Sequence, residues 1–524
     1  MAEWVDTGAL ADLTRKGRRV VKIAGKQILL IESGGRVFAC NNRCPHEGYP
    51  LSEGTLGTTC TLTCNWHNWK FDLASGETLV GGDRLRQYPV EIREGQVWID
   101  VSQPPSDALK ERALANLAEA ADDNDYERMA REVARYLKAQ GDALEPLRQA
   151  VARSAARFEY GMTHAYAAAA DWLVLADAAQ TREERLAALV EPLAHIAWDT
   201  LREAEYPFTN EAIAWDAHAF AACIEAEDEA GAIGRLNGAL VQGARLLPEI
   251  RRALGRAALA HYQDFGHSAI YVRKGFELIE RLGAVAAEPV LRALTRSIIY
   301  ATREDRIPEF RHYAKALAAW GAGAAGNATA PAALVGLSVN AALDRVVAMP
   351  GDSVDKYRTL LEANARAMLR FDTAVDAHTA KPVSHNVRWL DFTHALTFAN
   401  AVRWICEEQR DLWPQALLQL ACFLGRNAPF VLAEEDGSWE VPDAESFFAL
   451  ERAALYDHGI REPIFACHRV KVLAAVEEEV AWAGGGPLSR ALLAATNRYL
   501  HSPIKGHHAL RAAHQALSFV DAEG

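Results

Sequence analysis

The chain has 524 residues, half of them hydrophobic, yet nowhere offers the roughly 18 unbroken apolar residues that a membrane-spanning helix needs. The apolar content instead suits a large core and at least two domains, with no membrane partner. Positive charge is also short. Lys and Arg number 56 against 69 Asp and Glu, leaving a formal charge of −13. The two signs balance over residues 1–100, so the acidic surplus belongs to the remainder. Such a body argues against nucleic acid, which is bound by neutralising phosphates with Lys and Arg. Cysteine is sparse too. Of eight, Cys223, Cys406, Cys422 and Cys467 are scattered without framework spacing and read as reduced, buried thiols of a cytoplasmic protein. No basic stretch followed by an apolar one opens the sequence, so no signal peptide is expected.

Against this background two short segments stand out. Cys44-Pro45-His46-Glu47-Gly48-Tyr49-Pro50-Leu51 is followed by Cys64-Asn65-Trp66-His67-Asn68-Trp69-Lys70-Phe71-Asp72. Two thiols and two imidazoles in two loops are a metal-ligand set. Tetrahedral zinc takes such ligands, but zinc fingers usually pair Cys with Cys and His with His, whereas each loop here supplies one of each. The alternative is a [2Fe–2S] cluster with Cys on one iron and His on the other. The flanking runs Arg19–Ile23, Gln27–Ile31, Arg36–Cys40 and Gln96–Asp100 are β-rich and separated by turn residues such as Ala24-Gly25 and Gly34-Gly35. They predict a small antiparallel β domain over residues 1–102.

Pro45, Gly48 and Trp66 beside those ligands make residues 1–102 resemble the Rieske iron–sulfur family. The resemblance implies a [2Fe–2S] cluster with Cys44 and Cys64 on the inner iron and His46 and His67 on the outer, more exposed one. In high-potential Rieske proteins a serine and a tyrosine two and four residues after the second histidine donate hydrogen bonds to cluster sulfur. Trp69 and Phe71 stand there instead, and the extra disulfide of that group is missing. The chain is therefore placed with the ferredoxin and oxygenase branch.

Residues 103–108 read as a linker, and residues 109–524 as one large all-α domain of degenerate helical-hairpin repeats, with apolar residues at helical spacing. Thr181-Arg182-Glu183-Glu184 is a capping box. The absence of sustained strand patterns rules against the usual oxygenase catalytic domain, a sheet covered by helices. Its iron triad is not found either: Asp391-Phe392-Thr393-His394 begins the pattern but no second histidine follows.

Four histidines share a local frame, with an aromatic residue or Met two before and a small residue after: His164, His267, His394 and His458. Each is expected to open a helix. Equivalent positions in stacked hairpins can converge on a cavity, so these four are candidate catalytic or metal-ligating residues, weighed against packed helix-start histidines. Glu191, His195, Asp199 and Glu203 form an i+4 stripe, from which His195 and Asp199 join the candidates. A second metal, iron, is the ion such a pocket would hold. Glu309-Phe310-Arg311-His312 has the E-x-x-H spacing of di-iron bundles but lacks its second copy. His378 and His385 are expected on a loop near His394, and His501, His507 and His508 on the surface. Gly321-Ala322-Gly323-Ala324-Ala325-Gly326 imitates a nucleotide fingerprint but follows a helical pattern rather than a strand, and reads as a linker or helix break.

Through texture and runs such as Asp264-Phe265-Gly266-His267-Ser268, residues 150–520 also resemble the questin-oxidase-like family, all-helical proteins linked to Baeyer–Villiger-type oxidation. The expected function is an oxidoreductase of oxygenase type. Its Rieske domain would take electrons from an external ferredoxin or reductase and pass them to a helical domain acting on a small organic molecule. Two alternatives stand beside it: an electron-transfer or redox-sensing protein with a helical docking scaffold, and a helical enzyme regulated by the cluster.

Overall fold

The computed structural model describes residues 2–321 and 329–523, so all but the first residue of the Gly321–Gly326 match lies outside the described residues. The chain divides into two compact units, Met1–Ala143 and Leu144–Gly524.

The described residues of unit one form eleven strands: β1 (Trp4–Ala9), β2 (Arg18–Ile23), β3 (Lys26–Ser33), β4 (Arg36–Asn41), β5 (Thr55–Leu56), β6 (Thr61–Thr63), β7 (Lys70–Asp72), β8 (Thr78–Val80), β9 (Gln87–Tyr88), β10 (Val90–Arg93) and β11 (Gln96–Asp100). They form three antiparallel sheets, ordered β1-β11-β10, β2-β3-β4-β9 and β5-β6-β7-β8. Three hairpins close through two residues that both have positive φ: Ala24-Gly25, Gly34-Gly35 and Glu94-Gly95. Such turns match the twist of the paired strands.

The strand β3 is buried on both faces, and its alternation divides the core. Ile28 and Leu30 join Val97 and Ile99 of β11 in one cluster. Leu29 and Ile31 join Leu62 of β6, Phe71 of β7 and the ligand-loop cysteines Cys44 and Cys64 in the other. The metal-loop side of the domain is thus pinned to the back of the central sheet.

A short helix α1 (Leu10–Lys16) links β1 to β2, and two more, α2 (Ser106–Asp122) and α3 (Tyr126–Lys138), follow β11. Composition assigned α2 and α3 to the helical domain beginning at residue 109, but the compact β-rich unit continues through them to Ala143. The physical tie is Asp83, fully buried, whose carboxylate receives Arg128 at 3.2 Å, Arg131 at 2.9 Å and Arg135 at 3.3 Å from α3.

The second unit is helical. Among its described residues the only β pairings are the isolated bridges Gln263–Arg303 and Phe371–Val431. Its centre is built from α4 (His164–Ala178), α5 (Arg182–Asp199), α6 (His267–Leu282), α7 (Trp389–Glu408) and α8 (Pro463–Ala483). Helix α4 packs on α6, α6 on α7, α7 on α8 and α8 back on α4, closing a ring, while α5 lies against α4. The Thr181 capping box starts α5 as its sequence indicates. Ala165 to Ala170 are all buried, which is why α4 reads apolar all round. No described helix is long and apolar enough to cross a membrane.

The histidine frame holds different places in these helices. His164 and His267 are the first residues of α4 and α6, as expected. His394 instead sits in the second turn of α7, and His458 lies in the loop ahead of α8.

Candidate functional site

In unit one the two ligand loops are built alike. The N–H of Cys44 donates to the Tyr49 carbonyl at 2.8 Å, and that of Gly48 to the Cys44 carbonyl at 2.8 Å. In the second loop Cys64 N–H donates to Trp69 O at 2.7 Å and Asn68 N–H to Cys64 O at 2.9 Å. Both turns require a left-handed fifth residue, supplied by Gly48 (φ 78°) and Asn68 (φ 60°), the two residue types that tolerate it best.

Cys44 and Cys64 are buried free thiols at the loop bases. Burial pushes the Cys44 thiol up to about 11, His46 N–H opposes this, and the nearby Cys64 sulfur adds to it. A Cys44 thiol so raised ionises readily only against a metal. The His46 and His67 rings lie 4.7 Å apart, edge to face. Trp69 stacks on His46 at 4.6 Å and 14°, and Tyr49 on Trp66 at 4.2 Å. Gly81 makes room for Trp69: a Cβ there would lie 2.3 Å from the indole. His46 Nδ1 is buried without a hydrogen-bond partner, as an imidazole nitrogen reserved for a metal would be. The residues fit a [2Fe–2S] cluster with two thiolate and two imidazole ligands.

In unit two each helix of the ring contributes one histidine: His164 from α4, His267 from α6, His394 from α7 and His468 from α8. Ring centroids lie 4.4 Å apart for His267–His394, 4.6 Å for His164–His468 and 4.8 Å for His394–His468. Backbone carbonyls hold three of the Nδ1 atoms: Asp264 O at 2.7 Å for His267, Leu390 O at 2.6 Å for His394 and Ile464 O at 2.7 Å for His468. A carbonyl only accepts, so these Nδ1 atoms carry the proton, and in the neutral ring Nε2 is left as a lone pair. Burial pushes His164, His394 and His468 well below the ordinary imidazole range, with Lys471 and the neighbouring histidines adding to the effect, which keeps them neutral. Nε2 of His394 faces Nε2 of His468 at 3.2 Å, and His164 faces His267 in the same way at 3.2 Å. Nitrogen ligands about 2.0–2.1 Å from one ion are separated by about 3.0–3.4 Å. Ligand atoms of His164, His394 and His468 all lie within 4.8 Å of one another. The remaining His164 nitrogen, Nδ1, meets the Tyr271 hydroxyl at 3.1 Å.

The chain leading to His267 is strained. Asp264, Phe265 and Gly266 are consecutively left-handed, at φ 50°, 44° and 84°. Phe265 N–H is held by the buried Glu304 carboxylate at 2.7 Å, and Arg426 covers its ring at 3.7 Å. Strain of this kind persists where surroundings enforce it, often at functional sites.

Beside the ring lies a hydrogen-bonded chain. Glu191 Oε2 meets His458 Nε2 and His195 Nε2, each at 3.1 Å, and His195 Nδ1 meets Cys467 Sγ at 3.0 Å. Burial opposes charge on His195, but Cys467 and Glu191 outweigh it and raise the imidazole to about 10. Asp199 accepts from Thr163 Oγ1, the cap of α4, at 2.7 Å, one residue before His164.

Of the histidines the sequence singled out, His164, His267 and His394 converge. His458 does not: its loop turns it to Glu191, and His468 takes the fourth place. His195 and Asp199 lie next to the ring rather than in it. Helix α5 ends at Asp199, so Glu203 is exposed and leaves the stripe. His312 pairs with Asp344 at 2.6 Å, while His378 and His385 are exposed, the latter against Phe430. His508 is buried with Arg511 and Asp376 rather than on the surface. The signal for His468 was present as two polar residues, His468 and Lys471, one turn apart among the mostly apolar buried residues of α8, which also include Glu479.

The Rieske [2Fe-2S] domain family matches residues 3–89. The ferredoxin component of the naphthalene 1,2-dioxygenase system of Pseudomonas putida is 30% identical over 102 residues, covering 19% of this chain and 97% of that protein. A 4beta-methylsterol monooxygenase of Methylococcus capsulatus is 33% identical over 96 residues, covering 16% of this chain and 26% of the enzyme. Among solved structures, the ferredoxin of carbazole 1,9a-dioxygenase from Nocardioides aromaticivorans is 20% identical, covering 19% of this chain and 98% of that one, with a TM-score of 0.18. The two loops, the family match over residues 3–89 and the naphthalene dioxygenase ferredoxin matched over 97% of its length agree: through its N-terminal domain the chain belongs to the Rieske [2Fe–2S] family.

Proposed function

We propose that this chain is an oxidoreductase of oxygenase type, in which electrons received by the Rieske domain from an external ferredoxin or reductase serve chemistry on a small organic molecule in the helical unit. When bound, the [2Fe–2S] cluster stores and releases one electron at a time. The relatives that support the first half are a dioxygenase ferredoxin and a sterol monooxygenase.

The observation that carries the second half is the pair of lone-pair nitrogens, His394 Nε2 and His468 Nε2, facing each other at 3.2 Å. Two acceptors at that distance repel unless a cation lies between them. We assign His164, His267, His394 and His468 as the ligands of a second metal, iron, since imidazole suits iron among other transition metals. The carbonyls of Asp264, Leu390 and Ile464 fix the tautomers, the role outer partners play at metal-bound histidines. His394 and His468 are buried, and His164 and His267 are half-buried.

Metal analysis of the protein purified without oxygen tests this. Three irons per chain are expected, falling to two in His394→Ala. Two irons per chain in the unaltered protein and no other metal would leave the helical unit as a docking scaffold.

A further inference from the structure

The proposed function names no substrate class, and a lysine in the layer next to the histidine ring supplies one. One turn along three of the ring helices, Ile270, Thr397 and Lys471 stand three residues after His267, His394 and His468. All three line one narrow crevice, together with Arg273, Lys274 and Asn400.

Three basic side chains line this crevice, and two are matched. Arg273 pairs with Glu277 at 2.7 Å and with Glu478, and Lys274 pairs with Asp171 at 2.8 Å and Glu277 at 2.7 Å. The carboxylate of Glu479 is taken by Arg403, Asn400 and Tyr357. Lys471 is 1% exposed, and its Nζ has no hydrogen-bond partner among the described residues. Lysine is almost never fully buried unless paired, and an unmet buried donor costs the full desolvation of the group. His164, His394 and His468 all feel its charge, so the amine lies beside the ring.

We propose that Lys471 holds an oxyanion of the substrate, a carboxylate or a phenolate- or enolate-type oxygen, and that the helical unit therefore acts on acidic organic molecules. This deepens the proposed function and rests on its placing of the chemistry at the histidine ring. The lysine supplies N–H donors and positive charge, and the four-carbon stem lets the amine follow the ligand.

The test uses the full chain and two probes. Formate represents carboxylates, and 4-nitrophenol, coloured as its anion, represents phenolates. Saturation-transfer NMR reads formate binding, and visible titration reads 4-nitrophenolate. Binding of at least one is expected, unaffected by formamide, the neutral counterpart of formate. Lys471→Met should weaken it about tenfold or more, as removal of a charged hydrogen bond does, and Lys471→Arg should retain it. The probe that binds identifies the oxyanion. Absence of binding by either probe, equal competition by formamide, or unchanged affinity in Lys471→Met would each overturn the proposal. The formamide comparison needs no variant, so poor folding of Lys471→Met does not remove the test. Metal content measured on the same samples reports separately on the ring: anion binding without a second metal would overturn the metal assignment and leave Lys471 as the anchor.

Discussion

His394 and His468 point Nε2 at Nε2 across 3.2 Å, each donating its Nδ1–H to a carbonyl in the preceding turn of its own helix. Neither ring can bond to the other, because both facing atoms are acceptors. The metal assignment proposed above would satisfy both. Tyr271 brings its hydroxyl to His164 Nδ1 at 3.1 Å. Tyr271→Phe should weaken metal binding about 10- to 100-fold, the usual effect of losing an outer partner. His458→Ala, which removes contacts to Glu191, Trp172 and the Ile460 N–H, should leave it unchanged. Competition against a calibrated chelator measures both, and equal loss in the two variants would contradict the assignment.

The Rieske ligand set predicts a rhombic EPR signal of a mixed Cys/His [2Fe–2S] cluster in the reduced protein. His67→Ala should abolish it. A colourless protein holding only zinc, prepared without oxygen, would refute the cluster.

The potential should lie near the low end of the Rieske range, about −150 mV. Trp69 and Phe71 carry no hydroxyl where donors raise it, and Phe71 is fully buried against the cluster loops. Protein-film voltammetry should also show Phe71→Tyr shifting upward, because a hydrogen bond to sulfur stabilises the reduced state. A value above about +100 mV in the unaltered protein would contradict the argument.

Gly81→Ala should damage the cluster site from outside the ligand set. The new Cβ would meet the Trp69 indole at 2.3 Å, and φ at Gly81 is +120°. Because Trp69 stacks on His46, the EPR line shape should change and the melting temperature fall, by the equivalent of about 1–3 kcal/mol for the backbone alone. Gly95→Ala is the control: φ is +73° but the space is open, so stability should fall while the spectrum stays.

The His458–Glu191–His195–Cys467 chain should give stability a pH dependence. His195 is raised to about 10 from an ordinary 6.5, against burial, by Cys467 and Glu191, with Asp199 one turn away. A raised cation stabilises fully below its unfolded value, and the contribution fades as pH climbs from 6.5 through about 10. His195 and His458 hold Glu191 well below the carboxylate range despite burial, so its contribution is present above 4.5 and fades as pH falls from there. Melting curves of the unaltered protein and His195→Gln should converge toward alkaline pH. Curves that stay parallel from pH 6 to 10 would sink the assignment.

The β domain and its ligands were legible because metal geometry fixes Cys-x-His and Cys-x-x-His in short loops, and because Ala24-Gly25 and Gly34-Gly35 mark the turns. The histidine ring was half hidden. The frame of flanking residues found His164, His267 and His394 but also admitted His458, since an aromatic residue two positions earlier describes a loop as well as a helix start. His468 escaped it because Ala466, rather than an aromatic residue or Met, stands two before it and Arg469, rather than a small residue, follows it. Nothing local reveals that α2 and α3 belong with the β domain, because the contact responsible joins Asp83 to Arg128, 45 positions later.

A Rieske fragment ending at residue 102, the natural place to cut by composition, would strand the carboxylate of Asp83 with its three arginines gone. Removing one side of a buried ion pair costs about 3–5 kcal/mol, comparable to the whole stability of a small domain. Asp83 also closes the Gly81-Gly82 loop that backs Trp69, so the loss would reach the ring stacked on His46. The portable electron carrier in this chain is therefore residues 1–143, and anyone grafting it onto another enzyme must carry the arginine helix along with the iron–sulfur loops.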